Sequence, residues 1–282
     1  MPALIAPAEL AAALASGPVP VLVDVQYNLA GPAGRELYAA AHLPGARFLD
    51  VDSDLAGPPG PRGRHPLPDL AALAQTLRRL GIDDSSDIVV YDQGTGLGAA
   101  RAWWLLSYVG LRAVRVLDGG LAAWKRAGLP VTTIVPSPAP EGSVTVQAGA
   151  VPLLDAQGAQ RLAGTGLLLD ARARERFEGR VEPIDPVAGH IPGARSAPLS
   201  EFTDSEGRLL DREALHAYFA DQGVFEQAQV GAYCGSGITA AALALALKQI
   251  GVTAAVYVGS WSEWITDPDR PIATGPEGST RG

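Results

Sequence analysis

The stretch QVGAYCGSGITAAALALAL, residues 229–247, decides the fold around the only cysteine of the 282-residue chain. It opens with a short apolar run, continues with two closely spaced glycines and ends in an alanine- and leucine-rich run of helical length. The pattern predicts a buried strand that ends at Tyr233, a tight loop and an apolar helix. A thiol in such a loop meets the unpaired N–H groups of the helix start, which stabilise the nucleophilic thiolate. We therefore predict that Cys234 is reactive; the alternative is a buried cysteine that only fills space.

Four segments of the first half of the chain recur about 140 residues later, a spacing far too long for a solenoid. The pairs are VLVDV at 21–25 with LLLDA at 167–171, HLPGAR at 42–47 with HIPGAR at 190–195, VVYD at 89–92 with GAYC at 231–234, and DGGLAAW at 118–124 with VGSWSEW at 258–264. The repetition indicates a duplicated domain of ordinary size. The first copy carries an additional turn-rich segment, GPPGPRGR at 57–64, which we predict to be a surface loop.

Strands alternate with helices in both copies. The predicted strands are Asp87–Asp92, Val114–Leu117, Leu167–Asp170, Gln229–Tyr233 and Ala254–Val258, and the predicted helices are Pro68–Leu80, Ala99–Val109, Gly120–Ala127 and Asp211–Gln222. Near-continuous apolar strands between helices predict an α/β fold, with a central parallel sheet covered by helices on both faces in each copy. We expect an amino-terminal domain at 1–134, a proline-rich linker at 135–149, a carboxyl-terminal domain at 150–275 and a tail at 276–282.

Composition limits the classes of partner and compartment. The net charge is −8 and no strongly apolar run approaches about 18 residues, so neither a nucleic acid nor a membrane is an expected partner. The first residues lack the basic segment of a secretory signal, and one cysteine cannot form an intramolecular disulfide, so we expect a cytoplasmic protein. Neither metal-ligand spacing nor a nucleotide-binding glycine motif is present in the sequence, so we expect no metal and no cofactor.

Arginines crowd one segment of this acidic chain. They are Arg172, Arg174, Arg176, Arg180 and Arg195. The local excess of positive charge indicates an anion site, and a solvated charged loop is the alternative.

The paired HxPGAR segments, the two glycine–tryptophan segments and the loop CGSGIT together resemble the tandem-domain rhodanese-like sulfurtransferases, over about residues 8–274. The resemblance implies two similar α/β domains, of which only the second carries the reactive cysteine. Asp92 stands at the matching position of the first domain, which implies a non-catalytic copy. The family mechanism implies a persulfide on Cys234, whose sulfur then passes to a thiophilic acceptor such as cyanide, a small thiol or a thioredoxin-type protein.

The loop sequence bears on the identity of the small anionic sulfur donor. In this family the loop CRKGVT accompanies thiosulfate and CGSGVT accompanies 3-mercaptopyruvate, and this chain has the second type with Ile238 in place of valine. The resemblance assigns Arg176 to the carboxylate of the donor, which a guanidinium can bind through two parallel hydrogen bonds. A second arginine, common in mercaptopyruvate enzymes after Glu-Pro, is missing after Glu182-Pro183, and Arg180 is our candidate replacement. Thiosulfate stays the alternative donor.

The remaining loop residues have predicted roles in holding sulfur. Gly235 and Gly237 allow the left-handed geometry in which the N–H groups from Gly235 to Thr239, including that of Ile238, cradle the terminal sulfur. Ser236 is predicted to donate a hydrogen bond to the departing group. Thr239 either caps the following helix or bonds to the persulfide.

His42 has two interpretations. The resemblance implies a proton relay between His42 and Ser236, while the recurrence of the same turn at His190 favours a structural histidine in both copies. His65 and His216 show no ligand spacing, and no role is predicted for either.

Two other functions compete with sulfur transfer. Cysteine phosphatases use Cys-x5-Arg, but residue 240 of this chain is alanine, so the phosphate-binding arginine is missing. A non-enzymatic persulfide carrier needs the same cysteine, and the sequence leaves that alternative open.

Overall fold

The computed structural model describes residues 2–225 and 228–276, which fold into two compact units. The first unit holds the described residues up to Gly57, Leu67–Ala150 and Ser205–Arg208, and the second holds Pro58–Pro66, Val151–Asp204 and the described residues from Leu209 onward. Each unit therefore includes a short segment from the other half of the sequence, which the predicted domain boundaries do not contain. The predicted linker is counted with the first unit, and the predicted tail lies outside the described residues except for Pro276.

The first unit is built on a parallel five-stranded sheet. Its strands are β1 Leu4–Ile5, β2 Val21–Asp24, β3 Arg47–Phe48, β4 Ile88–Tyr91 and β5 Val114–Leu117, and its helices are α1 Pro7–Ser16, α2 Gly34–Ala40, α3 Leu70–Arg79, α4 Leu97–Tyr108 and α5 Gly120–Arg126. The strand order is β1-β5-β4-β2-β3, and Val21 of β2 pairs with Ile88 of β4. Every residue of β4 is buried, because β4 lies between β5 and β2 in a parallel sheet whose strands are joined by helices that cover it.

The second unit repeats this topology. Its strands are β6 Leu153–Leu154, β7 Leu167–Asp170, β8 Arg195–Ser196, β9 Val230–Tyr233 and β10 Ala255–Tyr257, and its helices are α6 Ala156–Thr165, α7 Arg174–Phe177, α8 Arg212–Asp221, α9 Ile238–Gln249 and α10 Ser260–Trp264, with a short 3₁₀ turn at Leu199–Glu201. The parallel order β6-β10-β9-β7-β8 matches that of the first unit position by position. The predicted α/β fold with two parallel sheets is confirmed.

The sheet of the second unit has apolar helices against it because its strands are apolar on both sides. One cluster joins Leu168 and Tyr233 of the sheet to Ala159 of α6 and to Trp261 and Trp264 of α10. Helix α9 contacts β9 and β10, and nearly all of its residues are buried. The burial of α9 explains why its sequence is apolar all round rather than on one stripe.

The predicted elements agree best with the structure where their apolar pattern is strong. The strands Val114–Leu117 and Leu167–Asp170 are confirmed at both ends. The helix predicted from Pro68 begins at Leu70, because the Asp69 side chain accepts the Ala72 N–H at 2.8 Å and caps it. The two-residue strands were missed, because two residues are too few to show a period.

The two units stabilise a buried aspartate in different ways at the end of equivalent strands. In the second unit, Arg172 donates to both oxygens of Asp170, with its Nη2 2.6 Å from Oδ2, and stacks on Trp261. In the first unit, Gln26 takes the place of that arginine and donates to Asp24 through its N–H at 3.0 Å and its Nε2 at 2.9 Å. Burial raises the pKa of Asp24 to about 6, since the neutral hydrogen bonds only partly replace lost hydration.

None of the helices in the described residues combines the length and the apolar composition required to cross a bilayer.

Candidate active site

Cys234 lies between the end of β9 and the start of α9, and its side chain is almost fully buried. The N–H of Gly237 donates to Sγ at 3.1 Å. The N–H of Cys234 itself donates to the Ser260 Oγ at 3.1 Å, and that hydroxyl lies 2.8 Å from the carbonyl oxygen of Tyr257, to which it donates. The sulfur therefore accepts from one backbone N–H, that of Gly237, at the start of a 12-residue helix, where the helix dipole favours negative charge.

Gly235 and Gly237 are required in the cysteine loop for different reasons. Gly237 has φ +83° and is the N-cap of α9; a side-chain carbon there would lie 2.4 Å from the carbonyl oxygen of Val258. Gly235 makes room for charge instead, because a carbon at that position would lie 2.9 Å from Nη2 of Arg64 and 3.6 Å from Nη2 of Arg176. The capping role considered for Thr239 is wrong, since the helix begins at Ile238 with Gly237 at its N-cap.

The equivalent loop of the first unit holds a carboxylate in place of sulfur. Asp92 Oδ1 accepts the N–H groups of Gly94 at 2.8 Å and Gly96 at 3.1 Å, and its Oδ2 accepts that of Ala99 at 3.3 Å. Burial raises the pKa of the Asp92 carboxyl above its usual value, although these N–H groups work in the opposite direction. Three residues separate Asp92 from the left-handed Gly96, whereas two separate Cys234 from Gly237, so the first loop is one residue longer. The backbone N–H groups of this loop in the first unit therefore already have an acceptor, the side chain of Asp92.

Ser236 has a histidine partner that the sequence did not predict. The Nδ1 of His65 lies 2.8 Å from the Ser236 Oγ, within hydrogen-bonding distance. His42, the predicted partner, belongs to the first unit and is fully buried there. Its Nδ1 lies 2.8 Å from the carbonyl oxygen of Tyr38 and its Nε2 lies 3.1 Å from that of Ile134. The pairing of His42 with Ser236 is therefore corrected: both ring nitrogens of His42 face backbone carbonyl groups, and His65 bonds to the serine.

The segment that carries His65 is held against α10 by a tight turn. Gly60 and Gly63 form a short antiparallel bridge, and Gly63 has φ +95°. A side-chain carbon at Gly63 would lie 2.7 Å from the carbonyl oxygen of Gly259, so only glycine allows this approach. The N–H of Arg64 then donates to the Ser262 Oγ at 3.1 Å. This turn places Arg64 and His65 beside the cysteine loop.

Arg176 is held in the second unit by a carboxylate of its own segment. Its Nε donates to both oxygens of Glu182, at 3.0 and 3.1 Å, and its Nη2 donates to Oε1 at 2.7 Å. Burial works to raise the pKa of Glu182, but the hydrogen bonds from Arg176 and from the N–H groups of Asp185 and Ile184 hold it below its usual value. Arg176 is thereby fixed with its guanidinium next to Gly235.

Asp185 links Arg176 to a second arginine. Its Oδ2 accepts from Nη2 of Arg176 at 3.1 Å, and its Oδ1 accepts a short hydrogen bond from Nη1 of Arg64. Burial raises the pKa of Asp185, against the lowering influence of the Arg64 charge. The two guanidinium groups next to Gly235 and the two carboxylates that accept from them form one charge cluster, which we call the arginine cluster: Arg64, Arg176, Glu182 and Asp185.

Arg180 does not join the arginine cluster. Its side chain is 59% exposed, and its Nε pairs with Glu178 at 2.6 Å. The candidate placement of Arg180 beside Arg176 is therefore corrected: the arginine that lies next to Gly235 together with Arg176 is Arg64, which precedes Arg176 by more than a hundred residues in the chain.

Sequence reasoning missed Arg64, His65 and Asp185. The available signal was the additional segment at 57–64, present in the first copy and missing in the second. Only one of the two duplicated domains carries this glycine-rich segment, which ends in Arg64 and is followed by His65. A segment of this kind is a candidate contributor to an active site.

Known proteins resemble the chain over nearly its whole length. The family pattern described as "Rhodanese-like domain" matches residues 6–127 and 153–267. A Pseudomonas aeruginosa protein provisionally named 3-mercaptopyruvate sulfurtransferase is 48% identical, covering 95% of this chain and 97% of its own length. A Mycobacterium tuberculosis protein provisionally named thiosulfate sulfurtransferase SseB is 44% identical, covering 96% and 97%. The crystal structure of the 3-mercaptopyruvate sulfurtransferase SseA from Escherichia coli superposes with a TM-score of 0.82 at 30% identity, covering 93% of this chain and 100% of that one.

Proposed function

Because the chain belongs to the rhodanese-like family of sulfurtransferases, we propose that it moves sulfur from 3-mercaptopyruvate to a thiophilic acceptor through a persulfide of Cys234. The observation that carries this choice of donor is the His65–Ser236 hydrogen bond beside an uncharged cysteine loop. The two candidate donors differ in whether the departing group must gain a proton, and this difference decides between them.

The first half-reaction breaks one carbon–sulfur bond and forms one sulfur–sulfur bond. The Cys234 thiolate attacks the sulfur of 3-mercaptopyruvate, and the electron pair of the carbon–sulfur bond moves to carbon. The departing group is the enolate of pyruvate, which must gain a proton to become pyruvate. Sulfite, which departs from thiosulfate, is a stable anion and needs none.

The hydrogen-bonded pair can supply that proton. Ser236 is two residues after Cys234, and its hydroxyl lies 2.8 Å from the Nδ1 of His65. When Ser236 donates its proton to the enolate, the imidazole replaces it, in the manner of a general acid acting through a hydroxyl. The pair is thus useful for the mercaptopyruvate reaction and has no necessary part in the thiosulfate reaction.

Backbone donors hold the persulfide once it has formed. The N–H of Gly237 already points at Sγ. The first unit supports the capacity of this kind of loop to hold an anion, since Asp92 accepts N–H groups from Gly94, Gly96 and Ala99. In the second half-reaction the acceptor's thiolate or cyanide attacks the outer sulfur and regenerates the Cys234 thiolate.

Arg176 and Arg64 are the groups that we assign to the donor carboxylate. Both guanidinium groups lie next to Gly235, one residue beyond the nucleophile. Their positive charge orients a small anionic donor with its sulfur toward Cys234. The acceptor is proposed to be a small thiol or a thioredoxin-type protein, and the cytoplasmic location expected from the sequence stays part of the proposal.

The test compares two donors with one acceptor. Sulfur transfer to cyanide is measured at matched concentrations of 3-mercaptopyruvate and thiosulfate, and kcat/KM is determined for each. A preference of about tenfold or more for 3-mercaptopyruvate, roughly 1.4 kcal/mol of transition-state discrimination, supports the proposal. A preference for thiosulfate overturns the assigned donor and favours the alternative, a thiosulfate sulfurtransferase. If a persulfide forms on Cys234 but no catalytic turnover follows with either donor, the chain is a sulfur carrier.

A further inference from the structure

The arginine cluster contains as much negative as positive charge. Arg64 and Arg176 lie next to Gly235, and the side chains of Glu182 and Asp185 are only 4% and 3% exposed. Buried carboxylates are poorly screened by salt, so their charges act on whatever binds at the two guanidinium groups. A donor anion at this place therefore meets a site that is not strongly cationic.

The two carboxylates hold different positions. Glu182 accepts from the N–H groups of Ile184 and Asp185 at 3.1 Å each and lies 3.4 Å from Nη1 of Arg172, so it anchors its own turn as well as Arg176. Asp185 instead bridges the two donor-facing arginines, with one oxygen toward Arg64 and the other toward Arg176. Removing the charge of Asp185 would therefore change the electrostatics at the donor with less effect on the turn.

We infer that the charge of Asp185 makes the site select a donor with a single negative charge over a donor with two. This inference rests on the proposed function, because it concerns the donor that Arg64 and Arg176 bind. A carboxylate donor such as 3-mercaptopyruvate brings one full negative charge near Asp185, whereas thiosulfate brings two. Repulsion from a fixed negative charge grows with the charge of the ligand, so Asp185 disfavours thiosulfate more.

Asp185→Asn tests the inference because it removes the charge and keeps the shape. The measurement is the ratio of kcat/KM for thiosulfate to kcat/KM for 3-mercaptopyruvate, with cyanide as the acceptor. We expect this ratio to rise about tenfold over the wild-type ratio, the equivalent of 1.4 kcal/mol. The rise should include a higher kcat/KM for thiosulfate itself, whereas a general loosening of the site would lower both values, so the two values together separate charge from structure.

Two variants serve as controls. Asp185→Glu retains the charge, and we expect its ratio to stay within about threefold of the wild type, a free-energy difference below about 0.7 kcal/mol. Glu178→Gln makes the same change in net charge in the same segment, but Glu178 pairs with the exposed Arg180 and lies outside the arginine cluster. Its ratio should not change. Asp185→Ser, neutral and smaller, repeats the comparison if the asparagine variant does not fold.

The outcomes separate the inference from the proposed function. If the wild type transfers sulfur but neither neutral variant raises the ratio, the inference is overturned and the proposed function stands. If Asp185→Glu or Glu178→Gln raises the ratio as much as Asp185→Asn, the effect is not the local charge and the inference is also overturned. If the wild type transfers no sulfur from either donor, the proposed function has failed first.

Discussion

Replacing His65 with alanine should damage sulfur transfer from 3-mercaptopyruvate far more than transfer from thiosulfate. The hydrogen bond between His65 and Ser236 is 2.8 Å long, which is within the range required of a proton relay. General acid–base groups in such geometry contribute about 100-fold to 10,000-fold to the rate. Because the imidazole in the proposed relay acts through a hydroxyl, we expect the lower part of that range.

The expected loss in kcat/KM for 3-mercaptopyruvate is about 100- to 1,000-fold, or roughly 3–4 kcal/mol in the activation free energy. The loss for thiosulfate should stay below about tenfold, since sulfite departs without a proton. The hydrogen bond itself contributes about 1 kcal/mol to stability, so the variant should remain folded at 25 °C. The assay follows pyruvate release and sulfite release under steady-state conditions, with the melting temperature of each variant measured alongside.

A double-mutant cycle decides whether the two side chains act as a unit. If His65 supplies the proton through Ser236, the variants His65→Ala, Ser236→Ala and the double variant should lose similar activity with 3-mercaptopyruvate. His216→Ala is the matched control, because His216 is exposed on α8 of the same unit. Equal losses with both donors, or a loss below threefold with 3-mercaptopyruvate, would refute the relay.

Three further predictions concern the nucleophile, the loop and the core. Cys234→Ser should fold normally and transfer no sulfur, and residual turnover above about one part in a thousand would place the nucleophile elsewhere. Gly237→Ala should destabilise the protein by at least about 1–2 kcal/mol in urea unfolding, because φ is +83° and the new carbon would meet the Val258 carbonyl oxygen. For Asp24, whose pKa is raised to about 6 from 3.8, the folded state holds the proton more tightly than the unfolded state does. Wild-type stability should therefore fall as the pH rises from about 4 to 7, by about 3 kcal/mol relative to Asp24→Asn, and equal pH profiles for the two proteins would contradict this assignment.

Much of the fold could be predicted from the sequence, because the patterns that indicate strands and helices are local. The strand before Cys234 ends at Tyr233 as predicted, and an apolar helix follows the loop, as the apolar pattern of these short segments predicted. The duplication showed that both halves share a topology, and the two sheets do have the same strand order. The two-residue strands and helices such as Pro7–Ser16 were not predicted, because weak or very short patterns carry little information.

The sequence by itself determined the α/β topology and singled out Cys234 as the candidate nucleophile and, through the family resemblance, Arg176 as a candidate for donor binding, since each depends on residues close together in the chain. Only the tertiary structure decided which histidine meets Ser236 and which second arginine meets Gly235. His65 and Ser236 are 171 positions apart, and Arg64 and Asp185 are 121 apart. Local periodicity contains no information about such pairs, because they form only when the turn at Gly60–Gly63 packs against α10. The physical reason is that backbone propensity acts over a few residues, whereas an active site is selected by contacts that folding brings together.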